Sequence, residues 1–155
     1  MIIVFDLDGS LNRFYDYPHW LEMLRAYDPT PYAEAEPLWD MEALTQVLRE
    51  LQKLGTRISI CSWLSKEPNK EYDRKVREAK REWLKRYNFP FNDCHIISYG
   101  VNKWQYMRKF IPEEETIYIV DDEAPNRIDF DKAIDPTKTN IIEWLEELKS
   151  DLERD

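Results

Sequence analysis

Met1-Ile2-Ile3-Val4-Phe5-Asp6-Leu7-Asp8-Gly9-Ser10-Leu11-Asn12 opens the chain and decides how the rest is read. Ile2 to Phe5 is an unbroken apolar run rich in β-branched side chains, the pattern of a strand buried on both faces of a parallel sheet. It breaks abruptly into two carboxylates one residue apart, at the strand end where open α/β sheets place their ligands. In an extended strand Asp6 and Asp8 point to the same side, close enough to share one cation. Gly9 permits a tight turn away from the strand tip. Asp-x-Asp-Gly also serves as a plain turn or as a fragment of a calcium loop. Neither a further ligand at calcium-loop spacing nor a closing Glu follows Gly9, so the choice rests on what lies downstream.

Residues 12 to 39 form an aromatic-rich insertion carrying Phe14, Tyr15, Tyr17, Trp20, Tyr27, Tyr32 and Trp39, punctuated by four prolines. His19 to Tyr27 suits one short helix, and the prolines exclude a long one. The insertion reads either as a packed connection over one edge of the sheet or as a small lid over the Asp6/Asp8 end. Asp40 then caps a helix whose Met41, Leu44, Val47, Leu48, Leu51 and Leu54 share one face, closed by Gly55. Arg57 to Cys61 is a second strand, ending in Ser62-Trp63.

A long charged helix over roughly 69–87 follows, with Tyr72, Val76, Ala79, Trp83 and Tyr87 turned to the sheet. Its many Lys, Arg and Glu residues read as a solvated outer face. Cys94 to Ser98 is a third strand. Gly100 and Asn102 open a shorter helix with Lys103 in its first turn and Trp104, Met107 and Phe110 inward. Thr116 to Val120 is a fourth strand ending in Asp121-Asp122, and Lys132 to Ile134 a brief fifth. Asn140 caps a last helix with Ile141, Leu145, Leu148 and Leu152 as its apolar stripe. This alternation predicts an α/β fold, a three-layer Rossmann-like sandwich with a mostly parallel sheet. Residues 1–155 read as a single domain, with no internal repeat and no linker.

Composition narrows the partners. The 22 Lys and Arg residues against 31 Asp and Glu give a net charge of -9, without a basic cluster. That excludes a duplex nucleic-acid partner on electrostatic grounds but admits a small phosphorylated substrate once a cation offsets the repulsion. No membrane span or leader is visible. Cys61 and Cys94 are expected at opposite ends of neighbouring strands, out of disulfide reach, which points to a cytoplasmic protein.

In a parallel sheet all carboxyl ends lie on one side, so Asp6, Asp8, Ser62, Asp121 and Asp122 converge, with Lys103 arriving from a helix start. Four clustered carboxylates repel one another unless a cation is bound, and oxygen-only ligands favour magnesium over zinc. Lys66 and Lys109 compete with Lys103 for the role of site lysine. His19 and His95 fit no motif and read as structural.

This set resembles the haloacid dehalogenase superfamily of phosphotransferases. Four stretches stand in that family's order across residues 2 to about 126: Asp6-Leu7-Asp8-Gly9-Ser10, Ser62 after an apolar strand, Lys103, and Ile119-Val120-Asp121-Asp122. The resemblance implies a magnesium-dependent phosphomonoester hydrolase. In it Asp6 is the nucleophile that becomes an aspartyl-phosphate, and Asp8 is the general acid and then base. It further implies magnesium on Asp6, on the Asp8 backbone carbonyl and on Asp121, supported by Asp122. Ser62 and Lys103 bind the transferring phosphoryl group. Ser10 departs from the Thr or Val more usual there, and the insertion is short, like a reduced cap.

Two further stretches are similar to the deoxyribonucleotidase (5′-nucleotidase) group: Ala79-Lys80-Arg81-Glu82-Trp83-Leu84 and Asp121-Asp122-Glu123-Ala124-Pro125-Asn126. They imply a nucleotide substrate, whose base can stack on the rings of residues 14–20 or on Trp63. The alternatives are a sugar phosphate or phosphoprotein as substrate, a member that binds a phosphorylated ligand without catalysis, and a structural module without phosphate chemistry.

Overall fold

The computed structural model describes residues 1–67 and 69–155. Its centre is β1 (Ile2–Phe5), whose four residues are all buried. Ile3 and Phe5 face one apolar cluster, while Ile2 and Val4 face another. A strand with no solvated face needs neighbours on both edges, and β1 has them. It pairs in parallel with β2 (Arg57–Trp63) on one side and with β4 (Ile117–Val120) on the other. β3 (Asp93–Ile97) extends the sheet beyond β2, and β5 (Lys132–Ile134) extends it beyond β4. The order β3-β2-β1-β4-β5 is parallel throughout, so every strand ends at the same edge. The chain winds outward from β1 through β2 to β3, then returns to the other side at β4. The β1/β4 boundary is therefore the switch point, where open α/β sheets form their crevice.

The insertion holds a turn of 3-10 helix at Phe14–Asp16 and two short helices, α1 (Trp20–Arg25) and α2 (Thr30–Glu34). The second was not expected from the sequence. Pro31 occupies its first turn, where a missing N–H costs nothing. The helices α3 (Met41–Lys53), α4 (Lys70–Arg86) and α6 (Ile141–Glu153) pack on the Ile3/Phe5 face, and α5 (Lys103–Arg108) covers the other. Asp40, Asn69, Asn102 and Asn140 each accept a backbone N–H at the start of α3, α4, α5 and α6 respectively. The result is the α/β three-layer, Rossmann-like sandwich that the sequence predicts. No described helix is long and apolar enough to cross a membrane.

Three local expectations are corrected. β2 runs two residues past Cys61 and β3 starts one residue early, so Cys61 lies opposite His95 and Cys94 opposite Ile60. The cysteines are thus neighbours in register rather than at opposite ends. Alternation along the strands sends their side chains to opposite faces, and both thiols are free. Phe110 does not point inward. α5 ends at Arg108, leaving Phe110 56% exposed and its ring stacked against His95 with centroids 5.4 Å apart. The charged face of α4 is not wholly solvated either, because Lys80 is fully buried.

The insertion is tied to α4 as well as to the sheet. Trp83 Nε1 donates to the Ala35 carbonyl at 2.7 Å, and Tyr72 Oη donates to the Asp28 carbonyl at 3.0 Å. Phe14 stacks on Tyr32 with centroids 4.6 Å apart and meets Trp20 at 5.4 Å. Trp39 Nε1 donates to the Ser10 carbonyl at 2.8 Å, closing the insertion back onto the loop after β1.

Candidate active site

β1 stops at Phe5, and the loop that follows coils around the Leu7 carbonyl, which accepts from the backbone N–H groups of Ser10, Leu11 and Asn12. This coil parts the two acids expected to point the same way. The Asp6 carboxylate, 7% exposed, turns toward the end of β4. Its Oδ1 accepts from Lys103 Nζ at 2.9 Å, and its Oδ2 lies 3.0 Å from the Ser10 hydroxyl. The Asp8 carboxylate turns toward α4 instead. Its Oδ2 pairs with Lys80 Nζ at 2.8 Å, and its Oδ1 accepts from Asn12 Nδ2 at 3.2 Å. The two carboxylates therefore line one cleft but meet different lysines, because the chain coils at Leu7, just after the Asp6 N–H bonds the Val120 carbonyl. Gly9 takes φ +80°, and a Cβ there would meet Asp122 Oδ2 at 2.5 Å and the Tyr15 ring at 2.9 Å.

At the end of β4, Asp121 Oδ2 accepts from Lys103 Nζ at 2.7 Å, while Oδ1 accepts from the Glu123 N–H at 2.9 Å. Ser10 links the two strand ends. Its hydroxyl accepts from the Asp122 N–H at 3.1 Å and lies 3.2 Å from Asp122 Oδ1, so its proton reaches either acid. Asp6, Asp121 and Asp122 each offer an oxygen within 4.8 Å of the others. Burial pushes Asp121 and Asp122 above the usual carboxylate range, and the neighbouring Asp6 pushes them further. Burial alone would lower Lys103, but Asp6 and Asp121 outweigh it and hold its ammonium charged.

The lysine expected at the site is found there. Lys103, 2% exposed, enters from the first turn of α5 with its ammonium 5.4 Å from the Trp63 ring centroid. Two of its three N–H donors serve Asp6 and Asp121, and the third has no acceptor among the described residues. Lys66 lines the cleft mouth, and Lys109 lies outside it. Ser62 and Trp63 stand at the end of β2, and both line the cleft. Ser62 Oγ accepts from Lys80 Nζ at 2.7 Å, leaving its own proton to donate, and the Trp63 ring packs on Tyr99 at 4.9 Å. Asn126, from the stretch after Asp121-Asp122, is buried and lines the cleft.

Sequence reading quoted Lys80 within the stretch Ala79 to Leu84 but gave it no role in the site. In the helix pattern it falls beside Ala79 and Trp83, on the border of the apolar face. The signal was its place one residue after Ala79 and one turn before Leu84, both buried.

The cleft, about 460 Å³, is walled on one side by the strand ends and on the other by Tyr15, Trp20, Leu21, Leu24 and Tyr32 of the insertion. The insertion is thus both packed connection and cover. Burial raises the Tyr15 phenol well above its ordinary pKa, with Asp8 and Asp122 adding to the shift, so it stays protonated. Four carboxylates (Asp6, Asp8, Asp121, Asp122) face two ammoniums (Lys80, Lys103), leaving two negative charges when all are ionised. A divalent cation matches that remainder, and an all-oxygen donor set suits magnesium.

No family model and no curated protein matches the chain. Among solved structures, a chain from the "Structure of Pnkp1/Rnl/Hen1 complex" superposes with a TM-score of 0.52 at 15% identity. The match covers 81% of this chain but 40% of the other, so this chain spans less than half the length of that neighbour. At this identity the likeness shows the α/β fold.

Proposed function

We propose that the chain is a magnesium-dependent phosphomonoester hydrolase of the haloacid dehalogenase type, working through an aspartyl-phosphate. The observation that carries this reading is the junction of β1 and β4. There a buried carboxylate, Asp6, shares one lysine with Asp121 and one serine with Asp122, at the switch point of a parallel sheet. A carboxylate attacks a phosphate dianion only where positive charge offsets the repulsion. Asp6, Asp121 and Asp122 would hold magnesium, which when bound supplies that charge at the phosphoryl oxygens.

In the first step an Asp6 oxygen forms a bond to phosphorus as the ester P–O bond breaks, and Asp8, which must enter the cycle protonated, gives its proton to the leaving oxygen. In the second, water attacks phosphorus, Asp8 takes the water proton, and the Asp6–phosphorus bond breaks. Phosphate leaves and both acids return to their starting state. The spare N–H of Lys103 and the free proton of Ser62 serve the transferring oxygens throughout. Tyr15, Trp20 and Trp63 supply faces on which a nucleobase stacks, which favours a nucleoside monophosphate over a sugar phosphate or a phosphorylated protein.

Phosphate release from nucleoside monophosphates, sugar phosphates and an aryl phosphate tests the reading. Turnover with magnesium is expected to disappear with EDTA and to fall by roughly a thousandfold or more in Asp6→Asn, which removes the nucleophile. Turnover that survives in Asp6→Asn excludes the aspartyl-phosphate route.

A further inference from the structure

We infer that Lys80 is a positioning residue of the phosphotransfer site, fixing Asp8 and Ser62 relative to one another; the inference rests on the function proposed above. Burying a lysine ammonium completely is expensive unless every donor is met. Lys80 is 0% exposed, and its three N–H groups have three acceptors: Asp8 Oδ2 at 2.8 Å, Ser62 Oγ at 2.7 Å and the Trp63 carbonyl. The Tyr32 ring closes the remaining side, with its centroid 4.9 Å from Nζ.

With all three donors engaged, Lys80 has none for a phosphoryl oxygen, in contrast to Lys103. Its effect passes through its partners. It anchors one oxygen of the acid–base carboxylate, while Asn12 anchors the other. It makes Ser62 an acceptor, which directs the serine proton away from the lysine and toward the cleft. Because α4 carries Lys80 and α2 carries Tyr32, the same ammonium joins the strand ends to the insertion. Asp8 hands a proton to the leaving oxygen, so misplacing it matters most for alcohols that cannot depart as anions.

The test is kcat/KM with magnesium over a series of phosphate monoesters, from 4-nitrophenyl to simple alkyl leaving groups. Lys80→Met keeps the side-chain length and removes the charge. It is expected to lower kcat/KM about 100-fold for alkyl esters and less than about tenfold for the nitrophenyl ester, which leaves without needing a proton. In an Asp8→Asn background, Lys80→Met is expected to add less than about threefold, because the two residues act as a unit. An equal loss across all leaving groups, or a full multiplicative loss on top of Asp8→Asn, overturns the inference. Should Lys80→Met alone fail to fold, Asp8→Asn compared with Asp8→Asn/Lys80→Met decides by the same criterion, since there no lone carboxylate is left behind. A wild-type protein that hydrolyses no ester in the series overturns the phosphotransfer reading itself, and this inference with it. An active wild type with a flat leaving-group response overturns only the role of Lys80.

Discussion

Where the ends of β1, β2 and β4 meet the cleft, polar and charged side chains are hydrogen-bonded to one another, with one Lys103 N–H and the Ser62 proton left over; across the gap, the insertion presents aromatic and aliphatic groups with Arg25 as its charged member. The first wall is preorganised by a parallel sheet that cannot shift one strand without breaking the pairing of its neighbours. The second is held by ring contacts such as Phe14 on Tyr32 and by a few bonds to α4. Under the function proposed above, chemistry that needs fixed charges would sit on the sheet and selection among substrates on the insertion. The two walls therefore respond differently to mutation.

The largest effect is expected at Lys103, which holds Asp6 and Asp121 together from inside the sheet wall. Lys103→Met leaves those buried carboxylates without their shared cation. Losing one partner of a buried ion pair destabilises a protein by about 3–5 kcal/mol. Urea denaturation should register a loss of that order, and phosphate release should fall for every substrate alike by roughly a thousandfold. A loss confined to nucleotides would contradict the division between the walls.

On the opposite wall, Trp20 borders the cleft and meets Phe14 and Tyr15 at 5.4 and 5.1 Å. Stacking of a base on an aromatic side chain is worth about 1–3 kcal/mol. Trp20→Ala should accordingly lower kcat/KM for nucleoside monophosphates about tenfold or more through KM, and leave a small alkyl phosphate within about twofold. Equal losses for both substrates would mean that the insertion supports the chemistry and does not select.

The same contrast explains what the sequence disclosed. β1, β4 and the acids beyond them were legible because a short apolar run ending in carboxylates has few other uses, and the alternation of strand and helix fixes where all the carboxyl ends go. Lys103 was legible from its place at a helix start. The turning apart of Asp6 and Asp8 was not, because it depends on three backbone N–H groups choosing the Leu7 carbonyl, which no residue pattern announces. Lys80 was hidden for another reason. In a helix with so many lysines and arginines, pattern marks one more as solvated, and only the nearness of Asp8, 72 positions earlier in the chain, makes its burial tolerable. α2 was obscured by its prolines, which ordinarily stop helices and here begin one.

The smallest expected effect separates the walls by titration. Burial and Asp6 raise Asp121 to about 7 and Asp122 to about 8 in the folded protein, above their unfolded values. A carboxyl whose folded pKa is raised binds its proton more tightly when folded. Its contribution to stability is then complete at acid pH and is lost as pH climbs through the folded pKa. Magnesium replaces those protons and should restore what is lost, so its stabilising effect should grow between about pH 6 and pH 9. For a chain of this length, a difference of about 1–2 kcal/mol moves Tm by roughly 3–6 °C. The measurement is Tm in magnesium minus Tm in EDTA at each pH, which cancels the titration of carboxylates elsewhere. Asp122→Asn should flatten that difference, whereas Trp20→Ala, on the wall with no acids at the cluster, should leave its pH dependence as in the wild type. A magnesium gain that is constant with pH would mean that the cation does not displace protons from Asp121 and Asp122, and would remove them from its ligand set.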